Sequence, residues 1–236
     1  MTETITKADS WKMFNRIARR YDMLNSILSF GLHKSWRKRI GRYFTRNENQ
    51  VLLDLATGTA DVPIILVKHF PEISKAIGID LAKEMLTIGE NKIAKFRLRE
   101  KISLSEGDAR QIPFNEDSFD AVTMSFGIRN VEDPLIVMRE MYRVLKRGGR
   151  ALILEFSMPA IFFIRVFYLF YLRYAVPGLG FLLTGDYEAY KYLNHSVEKF
   201  PCGSVFCDMF SEAGFVNVKA VPVLFGVATI YLGDKD

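Results

Sequence analysis

The sequence predicts an α/β fold: a doubly wound, mostly parallel sheet of seven strands, with N-terminal lid helices and an inserted apolar cap. Three observations predict it. From residue 50 onward, short apolar runs bounded by Gly, Pro and Asp alternate with segments of helical period, the pattern of parallel strands joined by crossover helices. The first run, Val51 to Leu55, passes through Ala56-Thr57-Gly58-Thr59-Ala60 into a helix that opens at Asp61 or Pro63, which is how an open α/β sheet builds a ligand corner. The second run, Ala76 to Ile79, ends on Asp80, 26 residues after Asp54.

Taken in order, residues 9–30 read as an amphipathic helix, because Trp11, Phe14, Ile17, Ala18, Tyr21, Leu24 and Leu28 recur at three- and four-residue spacing. Ser29 to His33 interrupts it, and Trp36 to Phe44 resumes as a basic helix. These helices precede the first strand, so they must cross the sheet's edge or cover its ligand end, as a lid or as a plain brace. After the corner, a helix spans 61–70 and another 82–98, with Met85, Leu86, Ile88 and Ile93 as core positions. Strands follow at 101–106 and 118–125. Asp133-Pro134 opens a helix to Lys146, with Asp133 as N-cap and Gly148-Gly149 as its stop. A fifth strand covers 150–156. The chain closes with a helix at 204–213 and strands at 215–223 and 227–232, a hairpin that makes the last strand antiparallel.

Residues 157–200 break the pattern. Ile161 to Tyr174 is far too apolar for a surface crossover. Pro177 and the nearby Gly178 and Gly180 argue against a membrane span, which needs about 20 apolar residues, so the segment reads as a cap with a greasy inner surface. Arg165 and Arg173 lie on one helical face and can snorkel. The organisation is then a single domain: lid helices at 1–48, a ligand-binding core at 49–156, the cap at 157–200, and a closing helix and hairpin at 201–236.

Charge is uneven. Residues 1–50 carry 11 Lys and Arg against 4 Asp and Glu, while the rest carries 21 against 23. A basic N-terminal segment favours nucleic acid or an anionic membrane surface, or is simply a solvated face. Cys202 and Cys207 with three scattered histidines make neither a disulfide framework nor a metal site. The first twenty residues are polar and charged rather than a signal peptide, so a cytoplasmic location is expected.

The corner's own charge selects its ligand. A dinucleotide site wants three glycines and a helix N-terminus free for pyrophosphate. Here Gly58 is the lone glycine and Asp54 and Asp61 flank the turn, which opposes a diphosphate and favours a cation. S-adenosylmethionine, with a sulfonium, an amino group and no phosphate, fits. Asp80 is placed to accept hydrogen bonds from both ribose hydroxyls.

Several segments together resemble one family, the ubiquinone/menaquinone biosynthesis C-methyltransferases, which are class I S-adenosylmethionine-dependent enzymes. They are Tyr21-Asp22-Met23-Leu24-Asn25, Ser29 to His33 with Trp36, Asp54-Leu55-Ala56 with Gly58-Thr59 and Asp61, Ser125 to Asn130, Arg143 to Lys146 with Gly148-Gly149, and Leu154 to Ser157. Two positions depart: Ala60 stands for the family's third loop glycine, and Arg147 for the proline before the glycine pair. The resemblance implies methyl transfer to a ring carbon of a polyprenylated hydroquinone, either demethylmenaquinol or a methoxylated polyprenyl benzoquinol. It implies that Thr59 contacts the methionine end, Asp80 the ribose, Asp108 and the backbone N–H of Ala109 the adenine edge, and that Ser125 closes the site beneath the cofactor.

Such chemistry needs an electron-rich carbon, which the hydroquinone supplies once ionised and the quinone does not. Arg129 is the candidate for stabilising the phenolate, Asn130 for orienting its oxygen, and Tyr21 or His33 for closing the lid. No metal is required. Expected partners are the hydroquinone, a peripheral membrane contact at the inner face, and a second copy in a homo-oligomer, but no nucleic acid. The alternatives are a methyltransferase for another small lipophilic substrate, a nucleic-acid methyltransferase, a dinucleotide-dependent oxidoreductase, and a non-catalytic quinone binder. Ser125 to Asn130 lacks the proline-rich motif of amino-methylating nucleic-acid enzymes, and the acidic corner opposes a dinucleotide.

Overall fold

The computed structural model describes residue 7 and residues 9–45, 48–184 and 187–236. Two N-terminal helices, α1 (Ser10–Leu28) and α2 (Leu32–Ile40), lead into β1 (Gln50–Leu55). There follow α3 (Asp61–His69), β2 (Ile73–Asp80), α4 (Lys83–Lys95), β3 (Ile102–Glu106), β4 (Phe119–Ser125), α5 (Pro134–Val144) and β5 (Leu145–Phe156). The apolar segment holds α6 (Phe162–Phe170), α7 (Val176–Thr184) and α8 (Tyr187–Lys199), and the chain ends with α9 (Ser204–Glu212), β6 (Val216–Val223) and β7 (Ala228–Asp234). The seven strands lie in the order β3-β2-β1-β4-β5-β7-β6. Strands β1 to β5 pair in parallel, and β7 runs antiparallel between β5 and β6. Strand order reverses between β1 and β4, so the crevice beyond their carboxyl ends is where this architecture binds ligands.

The expected apolar runs are strands because both faces of the sheet are covered. Along β1, Leu53 and Leu55 pack with Val137, Met141, Phe206 and Phe210 on one side, and Leu52 packs with Ile64, Leu66 and Val67 on the other, the alternation a strand imposes. Asp133 caps α5 by accepting from Leu135 N at 2.9 Å. That helix stops at Val144, short of the expected Lys146. Leu145 is fully buried and already pairs with Phe119, and the register slips before Arg150 resumes against Ala121. The glycine pair therefore makes a bulge rather than a helix stop: Gly148 has φ +74, and a Cβ on Gly149 would sit 2.8 Å from the Lys146 carbonyl oxygen.

The break after α1 falls where it was expected. Phe30 and Gly31 take φ of 51 and 74, and Gly31 N returns a hydrogen bond to Ser26 O, an αL helix ending. Trp36 and Ile40 of α2 then bury against Leu152, Leu154 and Ile230. Helix α1 contacts α4 and α7: Ala18 packs on Ala82 and Met85, and Met13 and Leu24 on Tyr168, Leu172 and Val176.

The apolar segment is more continuous than its proline and glycines predict. A π turn, Tyr171–Ala175, joins α6 to α7, and such local widening absorbs the N–H that Pro177 lacks. Phe162–Leu182 is consequently long and apolar enough to cross a membrane by length and composition alone. Only 17% of that stretch is buried, so it is not a core helix. Tyr168, Leu172 and Val176 face inward, while Phe163, Phe167, Phe170, Tyr174 and Phe181 face solvent. Arg165 Nε donates to Pro159 O at 2.8 Å, and Arg173 pairs with Glu198 on α8 at 2.6 Å.

Candidate active site

The corner after β1 is built from left-handed backbone. Ala56, Gly58 and Ala60 have φ of 48, 56 and 61, which turns the chain sharply from strand into α3. Alanine in that region costs roughly 1–2 kcal/mol, and the buried Ala60 methyl returns about 0.8 kcal/mol. The departure from glycine therefore matters through backbone conformation rather than size. Above the turn opens a cleft of about 120 Å³, whose lining includes Gly58, Asp80, Asp108, Ala109, Ser125 and Asn130, with Tyr21 from α1 on its far wall.

Each expected cofactor residue can now be located. Asp80 accepts from Gly58 N through Oδ2 and from Ala82 N through Oδ1, both at 2.8 Å. Burial raises its carboxyl above the usual range against bonds from the Ala82, Gly58 and Leu81 backbone, and a carboxylate with about four lone-pair directions still has room for a hydroxyl donor. The Ser125 hydroxyl is buried with no partner among the described residues, although it lines the cleft. Asp108 is already engaged by the Arg110 guanidinium, at 2.7 Å through Nη2. Burial would raise the Asp108 carboxyl, yet the Arg110 bonds and charge outweigh it and hold it low.

Asp54 and Thr59 lie outside the cleft lining. Asp54 is buried beneath the turn, where Oδ1 accepts from Thr123 Oγ1 at 2.6 Å and Oδ2 has no partner among the described residues. Burial, opposed by the Thr123 bond, pushes its carboxyl up to about 7. The Thr59 hydroxyl donates to Asp22 on α1 at 2.6 Å and accepts from Lys92 on α4 at 2.9 Å. Lys92 also binds Asp22 and Asp61, and Asp61 receives Arg37 of α2 at 2.7 Å. Burial opposes ionisation of Asp61, but Arg37 and Lys92 hold its carboxyl below the usual range. This network ties both N-terminal helices to the corner. Asp61 therefore serves the protein's own cations, a role its flanking position in the sequence did not reveal.

Beside the cleft lies a larger cavity of about 460 Å³, almost wholly apolar, walled by α1, α2, α6, α7 and α8. Phe14, Tyr21 and Phe126 line both spaces, so they form the partition. Arg129 reaches this cavity from below, but its charge is compensated: Nη1 donates to the fully buried Glu155 at 2.9 Å and to Phe126 O at 2.6 Å. Burial raises the Glu155 carboxyl and Arg129 opposes the rise. Asn130 Oδ1 accepts from Tyr192 at 3.2 Å. Near the pair, the Tyr168 hydroxyl is buried without a partner among the described residues, and burial raises its pKa beyond the tyrosine range. Sequence reading missed Arg37, Lys92, Glu155 and Tyr168. A lone acid inside the apolar run Leu152 to Phe156 was the signal for Glu155; the others carried none.

A sequence profile of the ubiE/COQ5 methyltransferase family matches residues 3–235. The chain belongs to that family. A demethylmenaquinone methyltransferase from Geobacillus stearothermophilus is 41% identical over 224 residues, 95% of each chain. A ubiquinone/menaquinone biosynthesis C-methyltransferase UbiE from Geotalea uraniireducens is 40% identical over the same share of each. Among solved structures, a SAM-dependent methyltransferase from Aquifex aeolicus superposes with a TM-score of 0.61 at 18% identity, covering 84% of this chain and 88% of its own. At that identity the likeness speaks for the fold, which is that of class I methyltransferases. The protein is an S-adenosylmethionine-dependent methyltransferase, and the Ser125 hydroxyl, without a partner among the described residues, and the Asp80 carboxylate at the cleft wall fit a polar cofactor there.

Proposed function

We propose that this enzyme methylates a ring carbon of a polyprenylated hydroquinone, demethylmenaquinol or a methoxylated polyprenyl benzoquinol, in quinone biosynthesis. The observation that carries the reading is the pair of spaces sharing one wall: a polar cleft and a large apolar cavity separated by Phe14, Tyr21 and Phe126. S-adenosylmethionine supplies an electrophilic methyl group. In this reading Asp80 holds the ribose, Asp108 and Ala109 N–H the adenine edge, and Ser125 the floor. Gly58 lets the backbone approach, and Thr59 and Asp54 support the turn from behind. Helices α1 and α2 are the lid and the apolar segment is the cap.

The cavity receives the ring and the start of its tail. Arg129 is a donor held in a neutral pair with Glu155 rather than a free cation, so its directed N–H groups stabilise the negative charge that reaches the ring oxygen as aromaticity returns. Asn130 orients the oxygen, and Tyr21 closes the partition over the ring. The outward aromatic face of α6 and α7 (Phe167 is 74% exposed) together with the basic N-terminal segment supports docking on an anionic bilayer from the cytoplasmic side. A tail in the cavity would then pass directly to lipid.

The test is an anaerobic methylation assay on substrate reduced with dithionite, run beside the oxidised quinone and a tailless analogue. Methylation of the reduced, tailed substrate is expected to dominate. Equal turnover of reduced and oxidised rings would refute the reading, and equal turnover of tailed and tailless substrates would remove the tail from the cavity's role.

A further inference from the structure

The cavity is lined by a buried imidazole, one ring nitrogen of which is engaged by a serine hydroxyl. His33, the second residue of α2, is 4% exposed and lines the cavity along with Ser29, Asn25 and Arg37. Its Nδ1 lies 2.6 Å from Ser29 Oγ. A hydroxyl has one proton, and Ser29 directs it to the Asn25 carbonyl oxygen at 2.5 Å. With the serine proton directed to that carbonyl, the serine oxygen accepts from the Nδ1–H tautomer of His33, the arrangement that keeps the lone pair on Nε2. The serine also accepts from the His33 backbone N–H at 3.4 Å, which holds ring and turn together.

We infer that Nε2 of His33 is the acceptor for the ring hydroxyl proton during methyl transfer, an inference that rests on the hydroquinone reading above. The charged groups acting on the ring are Arg37 and Lys34 from its own helix, Asp61 from α3 and Asp22 from α1. Burial first, then Arg37, lowers the imidazole to about 4, so the lone pair is free throughout the neutral range. So weak a base does not ionise a resting phenol of pKa about 10, nor does it need to. As the ring carbon takes the methyl and the donor sulfur–carbon bond breaks, electron density leaves the ring oxygen and its O–H becomes a strong acid. That proton passes to Nε2. The ring C–H proton then leaves to water as aromaticity returns, and the imidazolium hands its proton back to the oxygen. One proton is released overall, and the lone pair is restored.

Two measurements test this. Long-range nitrogen–proton correlation spectra of the ligand-free protein, with the His33 signals assigned by their loss in His33→Gln, are expected to show a protonated Nδ1 and a bare Nε2 from pH 5 to 8; a protonated Nε2 overturns the inference and leaves the hydroquinone reading untouched. Glutamine can accept a hydrogen bond but cannot carry the proton, so His33→Gln should keep the affinity for a long-chain alkoxynaphthol within about threefold by calorimetry. Its kcat should fall on the order of a hundredfold, the scale of general base catalysis. Unchanged kcat in His33→Gln refutes the role, as does a loss confined to KM. Absence of hydroquinone methylation by the unmodified enzyme removes the reading and the inference together.

Discussion

Replacing Asp54 by asparagine should stabilise the protein at pH 8 and not at pH 5. The carboxyl is buried, with one oxygen bonded to Thr123 and the other unpartnered among the described residues, and burial lifts it from 3.8 to about 7. A raised acid holds its proton in the folded chain while the unfolded chain has released it. Its contribution is thus intact below about pH 4, shrinks as pH rises, and is gone above about 7. Three pH units at about 1.4 kcal/mol each set a ceiling of about 4 kcal/mol. Asparagine keeps the acceptor for Thr123 and removes the charge, but leaves an amide NH₂ unpaired at about 1–3 kcal/mol. A net gain of about 2 kcal/mol at pH 8 follows, with no gain or a small loss at pH 5. Urea unfolding of both proteins at the two pH values measures it. His33, lowered to about 4, has the opposite sign, favouring the folded chain as pH rises from 4 to 6.5, but it is common to both proteins and cancels in their difference. A difference that does not change with pH would refute the reasoning.

Three further outcomes are expected. Asp80→Ala should weaken S-adenosylmethionine binding by roughly 1.5–3 kcal/mol, the scale of hydrogen bonds to a charged group; unchanged affinity by calorimetry in a folded variant would remove Asp80 from the site. Glu155→Gln leaves the Arg129 charge buried without its counterion and should cost about 3–5 kcal/mol in urea unfolding, whereas a loss below 1 kcal/mol would mean the pair is not closed in solution. Flotation with anionic liposomes should recover the protein at low salt and progressively less as salt rises, because the Lys and Arg attraction is screened; no recovery at low salt would discard the bilayer contact.

Much of this was legible in the chain because it was local. Strand–turn–helix around Gly58, the acid ending β2 and the cap at Asp133 are each written within ten residues, where spacing and residue type decide. What was not legible depended on partners far along the chain. Thr59 is small and sits on the turn, yet Asp22 and Lys92, 37 and 33 residues away, claim its hydroxyl. Arg129 reads as a free cation until Glu155 arrives from the neighbouring strand, 26 residues on. The glycine pair after α5 looked like a helix stop because a bulge and a helix end ask for the same backbone freedom; only the pairing of Leu145 with Phe119 tells them apart.

Helix α1 presents Phe14 and Tyr21 to both spaces at once, and Asp22 anchors the same helix to Lys92 behind the corner. A rigid element that forms part of two compartments cannot adjust to an occupant of one without altering the other. If cofactor and hydroquinone occupy the two spaces as proposed, any linkage through α1 is reciprocal: whatever factor the cofactor applies to hydroquinone affinity, the hydroquinone applies to the cofactor. In the proposed placement, loss of the methyl group changes the charge beside that wall from cationic sulfonium to neutral thioether, which is the difference α1 would report to the apolar cavity.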